Sequence, residues 1–78
     1  MRVAVLGAGS WGTTLSLVLS DNTHHVTLWS YLEEDARQIR ATRKNERFLP
    51  GIEIPPLISV TADLAEAIRG AEMIVLAV

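Results

Sequence analysis

Val3, Ala4, Val5 and Leu6 are apolar without alternation, which predicts a strand covered on both faces of a parallel sheet. Over residues 13–20 the spacing turns helical, with Leu15, Val18 and Leu19 on one face. Asp21, Asn22 and Thr23 are turn formers that end this helix. Val26-Thr27-Leu28-Trp29, β-branched and apolar, predicts a second strand. Residues 33–42 predict a second helix, with Leu32, Ala36 and Ile39 as its buried stripe and acids at its start to suit the helix dipole. Residues 43–56 read as a long connection, with a turn at Pro50-Gly51 and extended backbone forced at Pro55-Pro56. A short third strand is expected at 58–60. Asp63 and Glu66 have the cap-plus-acid spacing of a helix start, and Gly70 suits the left-handed position after the helix. Residues 73–78 predict a fourth, wholly apolar strand.

Strands alternating with helices imply an α/β fold with a parallel sheet, and right-handed crossovers leave few topologies. The best fit is the first half of a Rossmann-type sheet, strand order 3-2-1-4. Truncation after the fourth strand is expected, because that strand would be left as an uncovered apolar edge. On this reading residues 1–78 form a partial dinucleotide-binding domain.

The chemistry sits where the first strand meets the first helix. Gly7-Ala8-Gly9-Ser10-Trp11-Gly12 spells G-x-G-x-x-G, a weak signal alone but a specific one between a strand and a helix. Gly7 allows a tight turn, Gly9 lets a pyrophosphate approach the bare backbone, and Gly12 lets the helix pack close to the strand. The free amides and positive end of the helix would face the anion. The competing reading is a turn that needs its glycines for geometry alone. NAD-specific sites carry an acid at the end of the second strand, about 20 residues on. Here that position is Ser30, followed by Tyr31 and Leu32, so neither an acid nor an adjacent arginine is present. Trp29 and Tyr31 either flank an adenine or serve as a core residue and an exposed loop residue. His24 and His25 are adjacent and cannot face one metal from a strand, so they read as solvated turn residues and no metal is expected. Arg37, Arg40, Arg43, Lys44 and Arg47 read as the wet face of the second helix and its exit loop. A phosphate-binding role for Arg43 or Arg47 is the alternative. No general base, nucleophile or substrate pocket can be assembled, so no catalytic residue is expected within this chain.

Composition removes several classes. Apolar residues make up 49% and charged residues 21%, which fits a soluble globular domain. The net charge of −2 offers no basic excess for nucleic acid or an anionic membrane. There is no cysteine, hence neither a disulfide nor a thiolate metal site. The apolar run at 73–78 is too short to span a membrane and that at 3–6 too short for a signal-peptide core, so a cytoplasmic location is expected.

Gly7-Ala8-Gly9-Ser10-Trp11-Gly12-Thr13 and its spacing to Val26-Thr27-Leu28-Trp29 form a more specific pattern. Asn45-Glu46-Arg47-Phe48-Leu49-Pro50-Gly51-Ile52 adds an N-x-x-[YF]-L-P-x-[IV] loop, and Thr61-Ala62-Asp63-Leu64 and residues 71–78 continue it. With these the whole chain resembles bacterial NAD(P)-dependent glycerol-3-phosphate dehydrogenase. The resemblance implies reduction of dihydroxyacetone phosphate to sn-glycerol 3-phosphate, feeding phospholipid synthesis, with NAD or NADP as cofactor. It implies dinucleotide contacts at Ser10, Trp11, Tyr31 and Phe48, and a homodimer in the full-length protein. It also implies catalytic lysines in a helical substrate domain absent from this chain; Lys44 does not match them. The family's usual basic residue after the second-strand aromatic is replaced by Tyr31-Leu32, so little preference between NADH and NADPH is expected. Phe48 stands where many relatives carry tyrosine, keeping a stacking face without the hydroxyl. The alternatives are a related hydroxyacyl or sugar-acid dehydrogenase, against which the asparagine-to-proline loop argues, and a non-catalytic dinucleotide-sensing domain.

Overall fold

The computed structural model describes residues 1–22 and 24–77. Its elements are β1 (Arg2–Leu6), α1 (Ser10–Asp21), β2 (His25–Trp29), α2 (Glu33–Thr42), β3 (Lys44–Asn45), β4 (Leu49–Glu53), β5 (Ser59–Thr61), α3 (Leu64–Ile68) and β6 (Met73–Leu76). Thr23, placed in the expected turn, and Val78, placed at the end of the expected last strand, lie outside the described residues.

β5, β2, β1 and β6 pair in that order as a parallel sheet. Discounting the small β3–β4 hairpin, this is the expected 3-2-1-4 order. The register sets Val3 opposite Val26 and Val5 opposite Leu28. These four side chains join Ala36 and Ile39 of α2 and Ile54, Ile58 and Val60 in one core. Burying an aliphatic side chain of this size stabilises by about 1.5–3 kcal/mol, so α2 is held on the sheet mainly by Ile39.

The structure departs from the sequence pattern at several places. The residues of α1 that are fully buried are Gly12, Thr13 and Ser16; of the expected face, Leu15 is half-buried and Leu19 packs half-buried against the core, while Val18 is exposed. At Gly12 the first turn of the helix lies directly against the Gly7 backbone, leaving no room for a side chain, and the Ser16 hydroxyl donates back to the Gly12 carbonyl at 2.9 Å. Leu32 is 44% exposed, because as the extended N-cap of α2 it stands off the helical spacing that buries Ala36 and Ile39. Residues 43–56 contain the antiparallel β3–β4 pair, and Pro50 and Gly51 lie inside β4 rather than in a turn. A two-stranded ribbon has only edges, so the missing Pro50 amide breaks no central ladder. His25 belongs to β2 rather than to a turn.

The basic stretch also divides. Arg43 takes a left-handed backbone at φ 57° and its guanidinium donates to the carbonyls of Ile54, Pro55 and Ile58, at 3.2, 2.5 and 2.6 Å. It is half-buried and ties the exit of β4 to the end of α2 rather than meeting solvent. Arg40 donates to the Val60 carbonyl at 3.1 Å. Asp63 caps α3 by accepting from the Glu66 amide at 3.1 Å, and Gly70 follows at φ 74°.

Candidate functional site

Three glycines do three different things at the end of β1. Gly7 sits at φ 125°, a backbone that L side chains rarely adopt, and its amide donates to the Trp29 carbonyl at 3.0 Å. A Cβ on Gly12 would overlap the Gly7 carbonyl oxygen and come within 3.2 Å of the Ala77 Cβ. A Cβ on Gly9 would meet nothing within 4 Å. Gly9 is extended (φ −75°, ψ −172°), so neither its conformation nor the protein's own packing requires glycine there. The space beside it is open.

Gly9 is the N-cap of α1, which has no side-chain cap and no acid in its first turn. The first intrahelical bond runs from the Thr13 amide to the Gly9 carbonyl, so the amides before it have no partner within the helix. Such an end attracts an anion through its amides and the positive end of the dipole.

A cavity of about 230 Å³ adjoins this loop. Residues 7–9 line it on one side and Trp29, Ser30, Tyr31 and Leu32 on another, with Asp35, Arg47 and Phe48 completing it. It lies where β1 and β2 end, the carboxyl side of the sheet, where open α/β sheets receive ligands. A cavity of similar size, about 250 Å³, lies at the opposite ends of the same strands, beside Arg2, His25 and Arg69, and is not in reach of the glycine loop. Of the residues singled out from the sequence, Gly7, Gly9, Ser30, Tyr31 and Phe48 thus share one cavity, together with Trp29 and Arg47, each of which had two readings. Ser10 and Trp11 are exposed on the first turn of α1 without lining it, and Gly12 is buried beneath the loop.

Side-chain detail sharpens these placements. Ser30 is buried, and its hydroxyl donates to the Leu32 carbonyl at 3.2 Å, which fixes the bend after β2. Trp29 is half-buried and its Nε1–H donates to the Ala62 carbonyl at 3.0 Å. Tyr31 is 80% exposed and meets the Trp29 ring edge-on, centroids 6.3 Å apart. Arg47 stacks over Phe48 at 5.1 Å and pairs with Asp35 at 3.3 Å. The Arg47 and Asp35 side chains are 60% and 25% exposed, and ion pairs this wet contribute only about 0.2–1 kcal/mol.

Asn45 is the residue whose task the sequence did not reveal. It is buried, and its amide nitrogen donates to the Ala8 carbonyl at 2.7 Å and to the Thr13 hydroxyl at 2.9 Å. One side chain therefore fastens the hairpin to both the glycine loop and the start of α1. Asp35, read from the sequence only as a helix-start acid, was likewise not assigned to the site. Among the described residues no cluster of histidines or acids could hold a metal ion, and no helix is long and apolar enough to cross a membrane.

The family model for the N-terminus of NAD-dependent glycerol-3-phosphate dehydrogenase matches residues 2–78. The chain belongs to that family. It is 52% identical over 77 residues to a glycerol-3-phosphate dehydrogenase [NAD(P)+] of Bacillus velezensis, and 58% identical over 77 residues to one of Halalkalibacterium halodurans. Each match covers 99% of the chain and 22% of the relative, so the chain spans about a fifth of their length. Among solved structures, the Coxiella burnetii glycerol-3-phosphate dehydrogenase superposes with a TM-score of 0.90 at 37% identity, covering 96% of this chain and 23% of that one. The Saccharomyces cerevisiae enzyme gives 0.89 at 27% identity, covering 100% and 26%.

Proposed function

We propose that this chain binds NAD(H) or NADP(H) in a glycerol-3-phosphate dehydrogenase that interconverts dihydroxyacetone phosphate and sn-glycerol 3-phosphate for phospholipid synthesis. The observation that carries the reading is the empty approach at Gly9. A position with open space around a Cβ carries none, directly before an uncapped helix N-terminus. The cradle fits a pyrophosphate: bare backbone, free amides, and no acid in the first turn to repel it. The amides at the start of α1, with Ser10 and Trp11, would hold the pyrophosphate. Trp29, Tyr31 and Phe48 offer ring faces and edges to the adenosine, and Asn45 keeps the glycine loop in place. When bound, the nicotinamide supplies the hydride; with one proton it converts the ketone to the secondary alcohol.

The reading extends to the rest of the protein. A three-carbon phosphorylated substrate, a helical substrate domain carrying the catalytic lysines, a homodimer and a cytoplasmic setting belong to the same proposal, supported by family membership. The test is an assay of the full-length protein with dihydroxyacetone phosphate and NADH or NADPH. Cofactor oxidation dependent on that ketone is expected. Cofactor binding without turnover on any ketone would favour the sensing domain instead.

A further inference from the structure

Resting on that dinucleotide reading, we infer that the Asp35–Arg47 pair reads the ribose 2′ position of the cofactor, with Arg47 as the phosphate-binding cation and Asp35 as its restraint. Rossmann sites that accept NADP place an arginine near the end of the second strand. Here that role cannot fall to the residues next to Ser30, since Tyr31 and Leu32 carry no charge. Arg43 is consumed by three backbone carbonyls and does not line the cavity. Arg47 does line it, from a loop 17 residues beyond Ser30 in the chain, as does Asp35 from the first turn of α2. The two meet at 3.3 Å, and Arg47 keeps a face on Phe48 at 5.1 Å.

The arrangement is poised between two cofactors. An arginine fork can bind phosphate bidentately, whereas here a single Arg47 nitrogen meets one oxygen of the half-buried Asp35 carboxylate. With a 2′-phosphate present, Arg47 exchanges Asp35 for the phosphate while its stacking on Phe48 persists. With a 2′-hydroxyl, the pair stays closed and Asp35 retains free acceptor capacity for the hydroxyl. Asp35 also repels a 2′-phosphate, so the pair as a whole is close to indifferent between the two cofactors, with no acid at Ser30 to tip it.

Binding of 5′-AMP and of adenosine 2′,5′-bisphosphate to the full-length protein, by calorimetry, isolates the 2′-phosphate without any catalytic readout. Arg47→Ala should weaken the bisphosphate about tenfold or more and leave 5′-AMP within about twofold, the scale of one charge-assisted contact. Asp35→Asn, which keeps the size and polarity of the side chain, should move the ratio toward the bisphosphate by a similar factor. Arg47→Lys should fall between wild type and Arg47→Ala. A ratio unmoved in both Arg47→Ala and Asp35→Asn overturns the inference, as does an equal loss of both nucleotides in Arg47→Ala. Failure of the wild-type protein to bind either nucleotide would instead overturn the dinucleotide reading beneath it.

Discussion

Gly12 and Asn45 hold the glycine loop from opposite sides, and each is unforgiving for a different reason. Gly12→Ala drives a methyl group into the Gly7 carbonyl, and the backbone there cannot yield without moving β1. We expect loss of soluble folded protein or a clearly lowered thermal midpoint; an unchanged midpoint would show that α1 can move away. Asn45→Asp replaces the donor that faces the Ala8 carbonyl with an acceptor, whereas Asn45→Ala removes it and leaves the Ala8 and Thr13 oxygens short of a partner. Leaving a buried polar group unsatisfied costs about 1–3 kcal/mol. Both variants should unfold at lower denaturant and bind cofactor more weakly, and the aspartate should be the worse. Equal stability of Asn45→Asp and wild type in a urea titration would remove Asn45 from its tethering role. Leu32 is exposed at the cavity, so Leu32→Arg adds a cation there without disturbing the core. If the proposed activity holds, it should shift the kcat/KM ratio toward NADPH in the full-length protein, and an unchanged ratio would place the ribose elsewhere.

The elements differ in how much tolerance they have. Leu28 of β2 and Ile39 of α2 are fully buried in the same core, so Leu28→Ala or Ile39→Ala should each cost about 2–5 kcal/mol in denaturant unfolding. Val18 on the outer face of α1 should tolerate serine within about 0.5 kcal/mol. The sheet order was legible in the sequence because unalternating apolar runs joined by amphipathic helices admit few parallel arrangements. The tasks of Gly7 and Gly12 were legible for the same reason, since both act within one strand–turn–helix unit. The hairpin was not legible: β3 has two residues, Lys44 and Asn45, and β4 carries Pro50 and Gly51, which locally read as a turn. Nor were the fully buried positions of α1, because the close approach of Gly12 to the Gly7 backbone puts Gly12, Thr13 and Ser16 deepest and leaves Leu17 and Leu19 half-buried at the edge of the core. Contacts such as Asn45 to Ala8 join residues 37 apart in sequence and leave no local trace.

At the scale of the molecule, the sheet is unevenly covered. β1 is buried on both faces, while Ile74 and Leu76 of β6 are 50% and 72% exposed. An apolar edge of that kind associates when left bare. Residues 1–78 prepared alone should therefore sediment as a concentration-dependent oligomer and show no dehydrogenase turnover; a stable monomer at high concentration would mean that the edge is protected. The same sheet presents its carboxyl ends, the glycine loop and the α1 N-terminus at one site, where we propose that a dinucleotide pyrophosphate lies against Gly9. Titration of NADH and NADPH into the full-length protein and its Gly9→Val variant tests this most directly. The extended backbone and open space at Gly9 predict an unchanged circular-dichroism spectrum, with saturable binding of both cofactors in the wild type and none in the variant. Equal affinity in the two proteins would place the pyrophosphate away from Gly9.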